Sequence, residues 1–127
     1  MREIGLVYGP DAIGAFLAAN RVRLLIRSHE GPDARDKRLA TMGSVTDGWC
    51  VDAELPSGRL ATLFSAPDYP QFLPDGAARV SNRGAVAVLS PPEYDQVEVR
   101  RFDAAPRPAS SPFYDVNEAG SDEEGPN

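Results

Sequence analysis

One helix candidate followed by several short strand candidates is the feature that most limits what this chain can fold into. Apolar residues recur at helical spacing after Gly9, where Pro10 suits the first helical position and Asp11 faces the positive end of the helix dipole. Strand candidates follow at 22–26, 49–55, 59–64, 84–89 and 96–102. This order predicts an α/β or α+β chain. We expect an incomplete one, because one helix and about five strands would leave sheet faces uncovered.

The segment between the first two strand candidates, residues 31–47, has little apolar periodicity and is predicted to be a long loop. Loops of this length are usually functional or mobile. Pro56-Ser57-Gly58 joins the next two strand candidates and predicts a hairpin. In an incomplete domain we expect the strand Leu60–Phe64 to have an unpaired edge, which would favour aggregation.

The chain changes character after Phe102, where Pro106, Pro108 and Pro112 are followed by the acidic run 121–124. Of the formal charge of −6, five negative charges lie after residue 108, where no Lys or Arg occurs. We therefore predict a folded part over residues 1–104 and a mostly disordered acidic tail over residues 105–127. The nearly neutral body has no basic stripe, so we expect no nucleic-acid partner.

Compartment and membrane association follow from cysteine usage and hydropathy. Cys50 is the only cysteine of the 127 residues, which excludes an internal disulfide and indicates a reducing compartment. No apolar run approaches the roughly 18 residues that would suggest a membrane span, and we recognise no signal peptide. We expect a cytoplasmic or nuclear protein with no membrane partner.

Three residues are candidates for chemistry, although their types alone are weak evidence. His29 is the only histidine and follows a predicted buried strand, where ligands gather in open α/β sheets. Such a histidine is more often a hydrogen-bonded structural residue than a metal ligand. Arg2 taken alone is a surface arginine, and Tyr69 is equally compatible with a half-buried loop aromatic.

The order of several segments resembles the C-terminal part of the phosphoprotein phosphatase family. The sequence has GPD at 9–11, FL at 16–17, LLIRSHE at 24–30 and LFSAPDY at 63–69. Asp68 stands where that family usually has Asn. The loop after RSHE, the run YPQF at 69–72, NRGA at 82–85 and the acidic end are most similar to the plant type-seven branch.

This resemblance implies the C-terminal portion of a metallophosphatase β-sandwich flanked by helices. It implies a dinuclear site of manganese, or of iron and zinc, whose bridging hydroxide hydrolyses phosphoserine and phosphothreonine. By its place in the motif, His29 matches the last histidine ligand of one metal. Arg2 matches a phosphate-gripping arginine, although Glu3 stands where Gly is usual, and Tyr69 matches a tyrosine at the phosphate.

The family's GDxHG, GDxVDRG and GNHE segments and its middle histidine ligand are not in this sequence. One ligand cannot hold a dinuclear site, so we expect the isolated chain to be inactive and to be a truncated gene product, a partial clone or a short isoform. Two other hypotheses stay open. The chain is a non-catalytic binding module that competes for partners of the full-length phosphatase, through loop 31–47 or the acidic tail. Alternatively the tail is regulatory, with Ser121 as an acidophilic-kinase site.

Overall fold

A computed structural model of the chain describes residues 8–35, 41–70 and 78–106, and within them places two helices and five short strands. The helices are α1, Pro10–Asn20, and α2, Pro32–Arg35. The strands are β1, Leu24–Arg27, β2, Trp49–Leu55, β3, Gly58–Leu63, β4, Gly84–Leu89, and β5, Val97–Phe102. The prediction of an α/β chain with few helices is confirmed. The three-stranded sheet is mixed, and the two-stranded sheet is antiparallel.

Helix α1 begins at Pro10, where the sequence predicts it. Pro10 occupies the first turn, where its missing N–H removes no helical hydrogen bond. The helix ends because Arg21 adopts a left-handed backbone with φ of 54°. Ile13 and Leu17, one turn apart, are the buried residues of the helix and pack with Leu60 of β3. Burying each of these large aliphatic side chains contributes about 1.5–3 kcal/mol.

The first sheet has the strand order β1-β3-β2, so β3 lies in its centre. β1 pairs with β3 in parallel from Leu24–Arg59 to Arg27–Thr62, and β2 pairs with β3 as the predicted antiparallel hairpin. The prediction of an unpaired edge at Leu60–Phe64 is therefore wrong for β3, because this strand has a neighbour on each side. Within the described ranges, β1 and β2 form the outer edges of the sheet.

The second sheet is the hairpin of β4 and β5, paired from Gly84–Phe102 to Leu89–Val97. The two sheets meet where Phe64, the residue after β3, accepts a 3.0 Å backbone hydrogen bond from the N–H of Ala85. The N–H of Phe64 in turn donates to the carbonyl oxygen of Gly48 at 2.8 Å. The end of β3 therefore connects the two hairpins.

Gly48 lies at this junction, and a larger residue does not fit there. Its φ is +76°, and a Cβ atom placed on it would lie 2.6 Å from the backbone nitrogen of Ala85. A side chain would thus meet backbone atoms, which cannot rotate away, in a backbone conformation that L-residues rarely adopt. The close approach of β4 to the start of β2 depends on this residue.

The segment 31–47 departs from the predicted long loop. Residues 32–35 form the single-turn helix α2, whose Pro32 and Arg35 are buried, and Val45 is fully buried. Apolar periodicity could not indicate this structure, because the segment is anchored by a buried arginine as well as by apolar side chains. The predicted acidic tail falls outside the described residues from residue 107 onward. In the described ranges, neither helix has the length and hydropathy that crossing a bilayer requires.

Candidate functional site

The two motif segments of the sequence leave the same edge of the first sheet. β1 and β3 are parallel neighbours, with Arg27 opposite Thr62, so the residues that follow each strand emerge on the same side. The RSHE segment begins at the last residue of β1, and the FSAPDY segment follows β3. The carboxyl ends of adjacent parallel strands are a common position for ligand sites in α/β proteins. The fold therefore brings the segments that carry His29 and Tyr69 to one edge of the sheet.

His29 is exposed and lies two residues beyond the end of β1. Its φ of 72° places it in the left-handed region, which costs a non-glycine residue of the order of 1–2 kcal/mol. The next residue, Glu30, is only 5% exposed. The chain thus turns the imidazole outward while it buries the neighbouring carboxylate, and the surrounding contacts must hold this conformation.

Tyr69 lies at the other strand end and is 36% exposed. Its ring forms a T-shaped contact with the ring of Phe64, with ring centroids 5.3 Å apart and an interplanar angle of 82°. Phe64 also approaches Gly31, where an added Cβ atom would lie 2.9 Å from Phe64 Cζ. Phe64 therefore contacts both the segment that follows His29 and the ring of Tyr69.

The buried side chain of Asn82 fixes the backbone of the Tyr69 loop. Its Oδ1 accepts a 2.7 Å hydrogen bond from the N–H of Tyr69, and its Nδ2 donates to the carbonyl oxygen of Ala66 at 2.8 Å. Asp68, in a left-handed conformation with φ of 52°, forms a 2.6 Å ion pair with Arg79. This loop is therefore held by a side-chain amide within the protein and an ion pair nearer its surface.

A buried group of charges lies directly behind His29, and we name it the Asp52 cluster. It consists of residues from β1, the turn after it, α2, β2 and β3, namely Arg27, Glu30, Arg35, Asp52 and Thr62. Two guanidinium groups and two carboxylates balance its charge. Such balance is required, since an unpaired charge would be costly at this depth.

Asp52 and Arg35 are the centre of the cluster, with side chains 2% and 0% exposed. Arg35 Nη1 lies 2.6 Å from Asp52 Oδ1, and Arg35 Nη2 donates a 2.8 Å hydrogen bond to Thr62 Oγ1. Thr62 in turn donates to Asp52 Oδ2. Arg27 Nη2 reaches the same carboxylate at 3.1 Å and Glu30 Oε2 at 2.6 Å.

Electrostatics in the cluster favour the ionised form of Asp52. Burial acts to raise the pKa of this carboxyl, but hydrogen bonds from Arg35 and Thr62 outweigh burial and lower it. The neighbouring thiol of Cys50 shifts the other way, since burial and the negative charge of Asp52 both raise its pKa. Cys50 is thus kept as a neutral thiol rather than as a reactive thiolate.

Asp52 was not among the residues that the sequence singled out, and neither was Arg35. In the alternating stretch Val51-Asp52-Ala53-Glu54, regular pleating predicts both carboxylates on a solvent face. A β-bulge between Val51 and Ala53 breaks this alternation and leaves Asp52 buried. The one available signal was the density of arginine and acidic residues directly after RSHE.

The site residues fit a metal only as part of a larger ligand set. An exposed imidazole at the end of a strand is a suitable single ligand for a transition metal. Within residues 8–35, 41–70 and 78–106, no group of three His, Cys, Asp or Glu side chains could hold a metal ion. Arg2, the predicted phosphate-gripping residue, lies outside the described residues.

The relatives found by comparison with known proteins are serine/threonine-protein phosphatases. The chain is 45% identical over 125 residues to serine/threonine-protein phosphatase 7 of Arabidopsis thaliana, which covers 97% of this chain and 30% of that protein. It is 40% identical over 117 residues to the phosphatase 7 long form homolog of the same plant, or 90% of this chain and 8% of that protein. No family model matches the chain.

A more distant relative extends the same result beyond plants. Serine/threonine-protein phosphatase T of Schizosaccharomyces pombe is 31% identical over 116 residues, which is 91% of this chain and 19% of that protein. With these relatives and the ordered motifs at one sheet edge, the chain belongs to the phosphoprotein phosphatase family of serine/threonine protein phosphatases.

Within that family, the chain corresponds to a C-terminal part of a phosphatase of the type-seven branch, and the predicted resemblance is confirmed. Identity is 45% and 40% to the two type-seven proteins but 31% and 30% to the yeast phosphatase and to a plant phosphatase 5. The chain spans less than a third of the length of each of these relatives.

Proposed function

We propose that the chain supplies the last part of the catalytic domain of a metal-dependent phosphatase that acts on phosphoserine and phosphothreonine in proteins. The observation that carries this proposal is the 45% identity over 97% of the chain to a serine/threonine phosphatase, combined with the meeting of its two motif segments at one sheet edge. In this proposal the two small sheets are part of the family's β-sandwich, and other segments of a longer protein complete it.

Each candidate residue has a distinct role in the proposed site. His29 is exposed on a tethered turn and would coordinate one ion of the metal pair, most simply manganese or a mixture of iron and zinc. Tyr69 presents a partly exposed ring and hydroxyl, which would border the phosphate. Arg2 would hold phosphate oxygens with its planar fork of donors. When bound, the metal pair stabilises the negative charge of phosphoryl transfer to water.

The isolated chain is proposed to lack activity, because a single histidine cannot set the geometry of a metal pair. Its substrates would be phosphoproteins met in the cytoplasm or nucleus. Regulatory proteins would dock at segment 31–47 or at the acidic tail. Docking at segment 31–47 would use its exposed part around Thr41 and Ser44, because Pro32, Arg35 and Val45 are buried.

The test of this function is a chimera in which the chain replaces its 125-residue match in Arabidopsis phosphatase 7. We expect the chimera to hydrolyse an aryl phosphate in the presence of Mn²⁺, and we expect the 127-residue chain alone to be inactive. His29→Ala should abolish the activity of the chimera and weaken Mn²⁺ binding measured by calorimetry.

The matched control is Gln96→Ala, which truncates an exposed polar side chain between the strands of the second sheet. This variant should keep full activity. A His29→Ala chimera that keeps both its Mn²⁺ affinity and its activity would refute the proposed role of His29.

A further inference from the structure

We propose that Arg35 is a positioning residue for His29, which it acts on through the Asp52 cluster. This inference rests on the proposed function, because it assigns Arg35 to the metal ligand named there. Arg35 is fully buried whereas His29 is exposed, so Arg35 would act on the imidazole indirectly. It lies in the segment after RSHE that the sequence predicted to be a loop, and it is the most deeply buried charged side chain of the cluster.

The turn that carries His29 is held on both sides. Arg27 is the last residue of β1 and Glu30 follows His29 directly. Arg27 Nη2 lies 2.6 Å from Glu30 Oε2, so an ion pair closes the turn across Ser28 and His29. The orientation of the imidazole therefore depends on where these two flanking side chains are fixed.

Arg35 fixes both of these flanking side chains to the sheet. Its Nη2 lies 3.5 Å from Glu30 Oε2, while its Nη1 lies 2.6 Å from Asp52 Oδ1. Asp52 Oδ2 in turn accepts hydrogen bonds from Arg27 Nε and Nη2, at 3.3 and 3.1 Å. Arg35 thus joins the two sides of the turn through one buried carboxylate.

The conformation of the turn requires this support. His29 holds a left-handed backbone with φ of 72°, and Glu30 is buried although it carries a carboxylate. Neither condition is favourable for these residue types without compensating contacts. If the cluster loosened, the turn could relax and move the imidazole away from its outward position.

The geometry requires arginine rather than any cation. Arg35 directs separate donors to Asp52 and Thr62 and approaches Glu30 with the same planar group. A lysine ammonium provides charge at one point and cannot reach three partners in this arrangement. Arg35→Lys therefore keeps the charge and removes the fork, which makes it the informative substitution.

The experiment uses the chimera with Arabidopsis phosphatase 7 and measures Mn²⁺ affinity together with activity. We expect Arg35→Lys to raise the Mn²⁺ dissociation constant by about 10- to 100-fold, the usual effect of losing a group that orients a metal ligand. Saturating Mn²⁺ should restore most of the activity. Arg100→Lys, a change of the same type at an exposed arginine of β5, should leave both quantities unchanged.

A purely structural role for Arg35 gives a different result, namely a lower melting temperature, unchanged Mn²⁺ affinity below the transition, and no rescue by excess metal. That result would overturn the inference. If Arg35→Lys fails to fold, Thr62→Val removes one partner of the fork with little change of shape and is expected to raise the dissociation constant in the same direction. Unchanged affinity in a folded Thr62→Val variant would likewise overturn it.

Comparison of the His29→Ala and Arg35→Lys variants distinguishes a failure of this inference from a failure of the proposed function. If His29→Ala leaves Mn²⁺ affinity unchanged, the proposed function fails and the inference fails with it. If His29→Ala weakens binding and Arg35→Lys does not, only the inference fails.

In the full 127-residue chain, NMR gives a readout without metal, because a left-handed residue shows a strong NOE between its own amide and Hα protons. Arg35→Lys should weaken this NOE at His29 and leave the β3 amides protected.

Discussion

Replacing Asp52 by Asn tests how much the folded chain depends on its buried charges. The substitution preserves the volume of the side chain but removes its negative charge. The cluster would then hold two guanidinium groups and one carboxylate, with Arg35 fully buried beside a neutral amide. Three side chains, those of Arg27, Arg35 and Thr62, also lose a charged acceptor. Asn cannot replace it, because its amide group adds a donor where donors already converge.

The expected loss is about 3–5 kcal/mol of the free energy of unfolding, the usual effect of removing one partner from a buried ion pair. Each charge-assisted hydrogen bond contributes about 1.5–3 kcal/mol, but the three bonds share one carboxylate and do not add independently. A small domain has about 5–15 kcal/mol in total, so this single change removes a large part of it.

Urea unfolding followed by the fluorescence of Trp49 is a direct assay, because this is the only tryptophan and it begins the strand that carries Asp52. The double variant Asp52→Leu with Arg35→Met should regain most of the lost stability, since it leaves Arg27 and Glu30 as a balanced pair. A loss below about 1 kcal/mol for Asp52→Asn, as at an exposed ion pair, would refute the reasoning.

Three further outcomes are expected. Because the pKa of Asp52 is lowered in the folded chain, its ionised carboxylate stabilises the fold at pH values above 3.8, the ordinary pKa of aspartate. This stabilisation is lost as the pH falls through the lower pKa of the folded state. The urea midpoints measured near pH 6 and near pH 3 should therefore differ less in Asp52→Asn than in the original chain. Asn82→Ala leaves the N–H of Tyr69 without its side-chain acceptor and should cost about 1–3 kcal/mol in urea unfolding, with faster hydrogen exchange confined to that loop. Gly48→Ala should cost more than about 1 kcal/mol by thermal unfolding, since its Cβ would meet Ala85; an unchanged midpoint would contradict the contact.

Local signals account for the elements that the sequence predicted well. The strand at Gly84–Leu89 has its predicted bounds, and α1 begins at its predicted first residue, Pro10. The hairpin of β2 and β3 follows from the turn at Pro56 and Ser57. In each case, neighbouring residues decide the conformation, so pattern and turn chemistry were sufficient.

The arrangement of these elements depends on contacts between distant residues, which local patterns do not report. Nothing near β1 indicates that it pairs in parallel with β3, or that β3 lies between β1 and β2. The burial of Arg35 depends on a carboxylate 17 positions further along the chain. Motif order singled out His29 and Tyr69 as candidates, whereas the Asp52 cluster behind His29 left no such signal in the sequence.

The order of strands in the first sheet has a consequence for how the chain folds. β2 and β3 are joined by a two-residue turn, and such hairpins form in about 1–10 μs. β1 pairs with β3 through residues about 35 positions apart, such as Leu24 and Arg59, and closing that longer loop costs more chain entropy. We therefore expect the hairpin to form first and β1 to add to it afterwards. Pulsed hydrogen exchange should accordingly show late protection of the β1 amides, so the turn that presents His29 would be among the last parts of the site to form.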